Sequence, residues 1–215
     1  MNITYIVLFG LAALVHLYAS FTKNKTLRAI SKPILMPTLL AFYLSNATSP
    51  SIYVVMALIF SWLGDLFLIP KGIKYFTFGG ISFMISHIFF ILAYSMGENV
   101  FGNDWYIYAI FGALFVVITF IVFINLRKSL KKPLQIPIGG YLLLNGAMNC
   151  FAIFRLFGST TIANGITVIG ALLFFISDVI LFFVRFDKNC KIKTHFWVMI
   201  AYLAGEFLII LGLLL

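Results

Sequence analysis

This sequence predicts an all-α, polytopic integral membrane protein with eight transmembrane helices. Three observations carry that reading. Of its 215 residues, 63% are hydrophobic and only 10% are charged, whereas a soluble domain is about one quarter charged. The mean hydropathy is +1.10. The apolar residues also fall into eight runs separated by short polar loops, and a run of about 20 such residues crosses a bilayer core.

In chain order the runs are roughly 2–21, 30–47, 51–70, 75–96, 104–126, 133–154, 162–184 and 195–215. The first lacks a basic leader and a small-residue cleavage site, so it reads as a retained helix rather than a signal peptide. The second is short and carries Pro33 and Pro37. Proline suits a first helical turn, so Pro33 is expected at the start of this helix and Pro37 is expected to kink it. No soluble domain fits between the runs, so residues 1–215 read as a single membrane domain.

The loops orient the chain. Lys23, Lys25, Arg28 and Lys32 lie between the first two runs, and Lys71 and Lys74 between the third and fourth. Arg127, Lys128, Lys131 and Lys132 separate the fifth and sixth, and Arg185, Lys188, Lys191 and Lys193 the last two. Fourteen of the 15 basic residues therefore share one side, and Arg155 alone lies opposite, beside Glu98 and Asp104. Basic loops stay cytoplasmic. Both termini are then expected outside, in a plasma membrane of the bacterial inner-membrane type. The net charge of +9 belongs to these loops and does not point to nucleic acid. Cys150 and Cys190 fall near opposite faces, so no intrachain disulfide or metal motif is expected.

The chain also echoes itself. Lys32-Pro33-x-x-x-Pro37 recurs as Lys132-Pro133-x-x-x-Pro137, and the following run carries an acid in each case, Asp65 and Asp178. This reads as a 4+4 parallel internal repeat, with halves 1–100 and 101–215 related by an axis along the membrane normal.

Those acids are the candidate catalytic residues. Asp65 sits in Ser61-Trp62-Leu63-Gly64-Asp65-Leu66-Phe67, and Asp178 in Phe174-Phe175-Ile176-Ser177-Asp178-Val179-Ile180. A carboxylate in hydrocarbon is costly and marks a functional site by default. Asp65 precedes Lys71 by six residues and Asp178 precedes Arg185 by seven, so both lie about 10 Å inside the cytoplasmic end. Equal depth suits one shared site, in which two close carboxylates hold one proton and act as acid and base. A structural hydrogen bond to a neighbouring helix is the plainer alternative.

Other polar residues could line the same cavity. Tyr141, Asn145 and Asn149 recur at four-residue spacing on one helical face. His87 lies near the middle of the fourth run, close to Ser82 and Ser86, and Glu206 near the middle of the eighth, four residues after Tyr202. Each also fits a hydrogen bond joining membrane helices, and His87 and Glu206 could pair with each other. Gly79, Ser82 and Ser86 form a small-residue stripe suited to close packing. His16 and His195 carry no assignment. Three histidines on three separate runs do not make a metal site.

Taken together, these residues resemble the YhhN family of lysoplasmalogenases, eight-span membrane proteins. The resemblance rests on Lys32-Pro33, Leu63-Gly64-Asp65, Gly79 through Ser86-His87, Gly170-Ala171 through Ser177-Asp178, and Tyr202-Leu203-Ala204-Gly205-Glu206-Phe207. Gly205 departs from it, standing where many relatives carry glutamine. The resemblance implies an ether-bond hydrolase. It would cleave the vinyl ether of lysoplasmalogens to a fatty aldehyde and glycerophosphoethanolamine or glycerophosphocholine, with no cofactor. It also implies a lysophospholipid substrate entering from the bilayer, its phosphate near Lys32 or Lys132. Protonating the β-carbon of a vinyl ether and stabilising the resulting oxocarbenium ion is two-carboxylate work, as in glycoside hydrolysis.

Three other classes compete. A proton-coupled small-molecule or lipid transporter also uses duplicated halves and buried acids. An intramembrane aspartyl protease uses two membrane aspartates, but Trp62 occupies the first glycine of its G-x-G-D motif. A non-catalytic lipid-binding protein would tolerate amides at both acids.

Overall fold

A computed structural model describes residues 3–192 and 195–215. Asn2, the start of the first expected span, and the basic loop residue Lys193 lie outside the described residues. Eight helices follow in order: α1 (Ile3–Phe21), α2 (Lys25–Asn46), α3 (Ile52–Phe67), α4 (Ile73–Ser95), α5 (Trp105–Arg127), α6 (Lys132–Gly158), α7 (Ile162–Phe186) and α8 (Phe196–Leu214). Seven are long and apolar enough to cross a membrane, and the molecule is an all-helical, polytopic integral membrane protein. The exception is α3. Its 16 residues span about 24 Å at 1.5 Å per residue, short of a core about 30 Å thick.

The ends of the helices follow local chemistry. α2 begins at Lys25 rather than near residue 30, because Asn24 caps it: its side-chain oxygen accepts from the Leu27 N–H at 3.1 Å. A side-chain oxygen at this position satisfies a donor that the helix itself cannot. The earlier start corrects the expectation for Pro33, which lies inside the helix together with Pro37 instead of in its first turn. α3 starts after Pro50-Ser51, with the Ser51 N–H donating to the Tyr43 hydroxyl at 2.9 Å, and stops before Pro70. In α6, by contrast, Pro133 does stand in the first turn.

The chain divides into two compact units, Met1–Ala93 and Tyr94–Leu213. In the first, α1 and α2 form a hairpin and α2 packs on α3. α3 and α4 meet where side chains are small. A methyl group on Gly64 would strike the Phe83 ring at 2.6 Å, and one on Gly79 would meet Leu68 at 2.9 Å and the Gly64 carbonyl at 3.2 Å. Ser61 and Ser86 share a hydrogen bond of 2.9 Å across the same seam. Close backbone approach through small residues, tied by hydroxyls, is how helices associate where lipid offers no hydrophobic drive.

In the second unit α5, α6 and α7 pack in sequence. Val100, Phe115, Cys150, Ile153 and Phe154 form a buried apolar cluster. α7 and α8 touch backbone to backbone. A side chain at Gly205 would meet the Phe174 N–H at 2.8 Å, one at Gly170 the Ile209 N–H at 2.6 Å, and one at Gly212 the Thr167 hydroxyl. This accounts for glycine at 205: a glutamine cannot fit at that spacing.

Candidate active site

Asp65 lies in the last turn of α3 and is buried. That position is doubly unfavourable for an anion, because it is apolar and because the C-terminal end of a helix carries partial negative charge. Lys32 offsets both effects. Its Nζ stands 3.0 Å from Asp65 Oδ1, with side-chain exposures of 12% and 2%. The lysine expected at the phosphate of a substrate is therefore the ion-pair partner of the candidate acid.

The register of that pair is set next to Lys32 on α2 and one turn before Asp65 on α3. Pro37 has no N–H, so within α2 the Pro33 carbonyl loses its i+4 donor. Trp62 supplies one: its indole Nε1 donates to the Pro33 oxygen at 2.9 Å. A buried carbonyl without a partner is costly, so this bond locks α3 against α2 three residues before Asp65. Proline spacing and the tryptophan of Ser61-Trp62-Leu63-Gly64-Asp65 thus act together to place the acid on the lysine. Lys-Pro-x-x-x-Pro carries the signal, since its second proline frees the carbonyl of the first.

Asp178 is held differently. Tyr141 donates its hydroxyl to Asp178 Oδ2 at 2.6 Å, and the Asn145 amide donates to the same oxygen at 2.8 Å. Asn149 Nδ2 donates to the Asn145 carbonyl at 3.0 Å and to its side-chain oxygen at 3.2 Å. That second bond fixes the Asn145 amide with its NH2 toward Asp178. The expected polar face of α6 is thus a relay ending on the acid. Tyr141 also packs edge-on against Phe182, ring centres 5.1 Å apart. In each unit the acid meets a residue 33 positions earlier, Lys32 for Asp65 and Asn145 for Asp178.

The remaining candidates separate. Glu206 is fully buried on α8 and acts electrostatically on Tyr141 and Tyr94. Tyr202 is buried with its ring edge-on to Phe174, centres 5.4 Å apart. His87 is fully buried within α4. Lys132 is exposed at the first position of α6. Two contacts were not expected from sequence. His16 Nδ1 lies 2.8 Å from Ser31 Oγ, and Arg155 donates to Asn164 at 2.8 Å, closing the turn between α6 and α7.

The YhhN family model matches residues 27–213, a stretch that contains both acids and every side chain just described around them. Among characterised proteins, the chain is similar to lysoplasmalogenase TMEM86A of Bos taurus, 28% identical over 181 residues that cover 80% of this chain and 69% of that one. No solved structure matches it. With the family model spanning all but the first helix, the chain belongs to the YhhN family.

Proposed function

We propose that this chain hydrolyses the vinyl ether bond of lysoplasmalogens, releasing a fatty aldehyde and glycerophosphoethanolamine or glycerophosphocholine. Family membership and similarity to a lysoplasmalogenase support the reaction class. The observation that carries the mechanism is the unlike partners of the two candidate aspartates. Asp65 faces an ammonium at 3.0 Å, which lets it keep its charge in an apolar segment. Asp178 accepts from Tyr141 and Asn145, and we assign it the proton that is given and taken back.

Each step then balances. Asp178 gives its proton to the β-carbon of the vinyl ether, forming a C–H bond with the electrons of the double bond. Positive charge spreads over the α-carbon and the ether oxygen, and the fixed Asp65 carboxylate offsets it. Water adds to the α-carbon and returns a proton to Asp178. The hemiacetal collapses as its hydroxyl gives up a proton, its bond to the glycerol oxygen breaks and that oxygen gains a proton, leaving aldehyde and alcohol. No net proton is consumed, and one water is.

The test is aldehyde release by the purified protein from a lysoplasmalogen, beside an ester lysolipid of equal chain length. Asp65→Asn and Asp178→Asn should each lower turnover by about 10²–10⁴-fold, the usual contribution of one acid–base group. The double variant should be little worse than either single one, because groups that act as a unit are not additive. If both single variants stay within a few-fold of wild type, the carboxylate mechanism is wrong. If wild type cleaves neither lipid but moves solute across liposomes, a transporter takes its place.

A further inference from the structure

The α1–α2 hairpin buries a polar cluster that this chemistry does not use. Met1–Ala93 contains six basic residues and a single acid, Asp65. Asp65 is committed to Lys32. Arg28, one helical turn earlier on the same face of α2, is half-buried, whereas every other described basic residue of the cytoplasmic-side loops except Lys32 is exposed. The Arg28 Nε is buried and meets no acceptor among the described residues. One positive charge in this hairpin therefore lacks an internal counter-ion.

α1 turns matching groups toward it. His16 and Ser20 are one turn apart on one face, at 0% and 1% exposure. His16 is fixed to α2 through Ser31 at 2.8 Å, and in an antiparallel hairpin that register sets Ser20 opposite the turn holding Leu27 and Arg28. Lys32 and Arg28 both act electrostatically on the His16 ring. Ser31 spends its proton on the Leu27 carbonyl at 2.7 Å, so its oxygen accepts from His16 Nδ1–H. In the neutral ring Nε2 is then an acceptor, and it is buried without a partner among the described residues, as is Ser20 Oγ. Orphaned buried polar groups in such number call for a ligand or an unseen water. Their types describe the ligand: an anion for Arg28 and Ser20, with a hydroxyl nearby for His16.

We propose that Arg28, Ser20 and His16 form a binding site for a phosphoglycerol group that bears a free hydroxyl. Guanidinium is the preferred partner of phosphate oxygens, through paired charge-assisted bonds. A lysophospholipid carries its free hydroxyl on the carbon adjoining the phosphate-bearing one, which matches the donor–acceptor order of the cluster. That identification rests on the hydrolase reading, while the phosphate site itself does not. The site adjoins the Lys32–Asp65 pair along α2, so a headgroup held there leaves the sn-1 chain beside the candidate acid.

The experiment measures binding rather than turnover. The probes are a saturated 1-O-alkyl-glycerophosphoethanolamine, which has no vinyl ether to cleave, and the matching 1-O-alkylglycerol, which has no phosphate. Ligand-induced thermal stabilisation of the detergent-purified protein gives the affinities. Wild type should prefer the phosphate lipid, and Arg28→Gln should lower that affinity about tenfold or more, the scale of a lost charge-assisted bond, leaving the alkylglycerol unaffected. Arg28→Lys should keep part of the preference and guards against a folding artefact. His16→Ala should weaken the hydroxyl-bearing lipid more than its 2-O-methyl ether. Competition by free glycerophosphoethanolamine identifies a site that also takes soluble phosphoesters; its absence identifies one that needs the lipid. An unchanged phosphate preference in Arg28→Gln, or none in wild type, overturns the site and leaves water as the partner of these groups. A preference that depends on Arg28 in a protein that cleaves no vinyl ether would keep the site and reject the hydrolase.

Discussion

Replacing Lys32 by methionine should destabilise this protein far more than replacing its partner. The pair is 3.0 Å apart, with Asp65 at 2% and Lys32 at 12% exposure. At an effective dielectric of about 20, two unit charges at that distance attract by about 5–6 kcal/mol. Removing one member of a buried pair costs about 3–5 kcal/mol, because the other charge remains uncompensated. The two partners differ in what they leave behind. Lys32→Met strands a carboxylate in the last turn of α3, where the helix dipole opposes it. Asp65→Asn strands an ammonium on a long stem that is already 12% exposed and can swing toward water, and should cost about 1–3 kcal/mol, as for an unsatisfied group. In a chain of this size 1 kcal/mol moves Tm by about 2–4 °C, so Lys32→Met should lower Tm by about 6–20 °C. The double variant Lys32→Met/Asp65→Asn should recover most of that loss. Thermal unfolding of the four proteins in one detergent checks it. If Lys32→Met melts no lower than Asp65→Asn, or if the double variant is the sum of the two, the pair does not hold the charge of Asp65.

Tyr141→Phe removes a donor to Asp178 Oδ2 and should lower kcat about tenfold, the value of one hydrogen bond to a charged group, with little change in KM; steady-state aldehyde release reads both. Trp62→Phe leaves the Pro33 carbonyl without its donor and should cost about 1–3 kcal/mol of stability, measured by thermal unfolding. Gly205→Gln should abolish the folded α7–α8 contact, because the backbone of Phe174 stands 2.8 Å from a Cβ built there; loss of a monodisperse peak in size-exclusion chromatography would show it, and a normal peak with unchanged Tm would refute the close packing. Reporter fusions after Glu98 and after Leu215 should both report the non-cytoplasmic side; a cytoplasmic signal at either point would contradict the loop-charge reading.

Membrane-helix periodicity carries no information about which register two helices adopt, and the site depends on register. Tyr141 and Asn145 are legible as partners of some group because they repeat every four residues on one face of α6. That the group is Asp178 depends on how α6 and α7 slide past each other. Lys32 reads as a loop cation because prolines 33 and 37 imitate a helix start. Asn24 caps the helix eight residues before Lys32 and moves Lys32 inside, where it can meet Asp65. His16 and Ser20 lie one turn apart at the same end of α1 as Arg28 and Lys32 do of α2. That pairing could have been read from sequence, but an isolated histidine on an apolar run gives no reason to look.

By itself the sequence determined the class of solvent, the existence of the helices and the presence of carboxylates inside apolar segments. Each of these follows from the free energy of moving single residues between water and hydrocarbon, a quantity that composition and run length already contain. Only the tertiary structure decided the partners. Lys32 on Asp65, Tyr141 and Asn145 on Asp178, and Trp62 on the Pro33 carbonyl each depend on contacts a few ångströms long between residues 29 to 37 positions apart. Such contacts depend on how α2 lies along α3 and α6 along α7, and that register is a property of packed pairs rather than of any one segment.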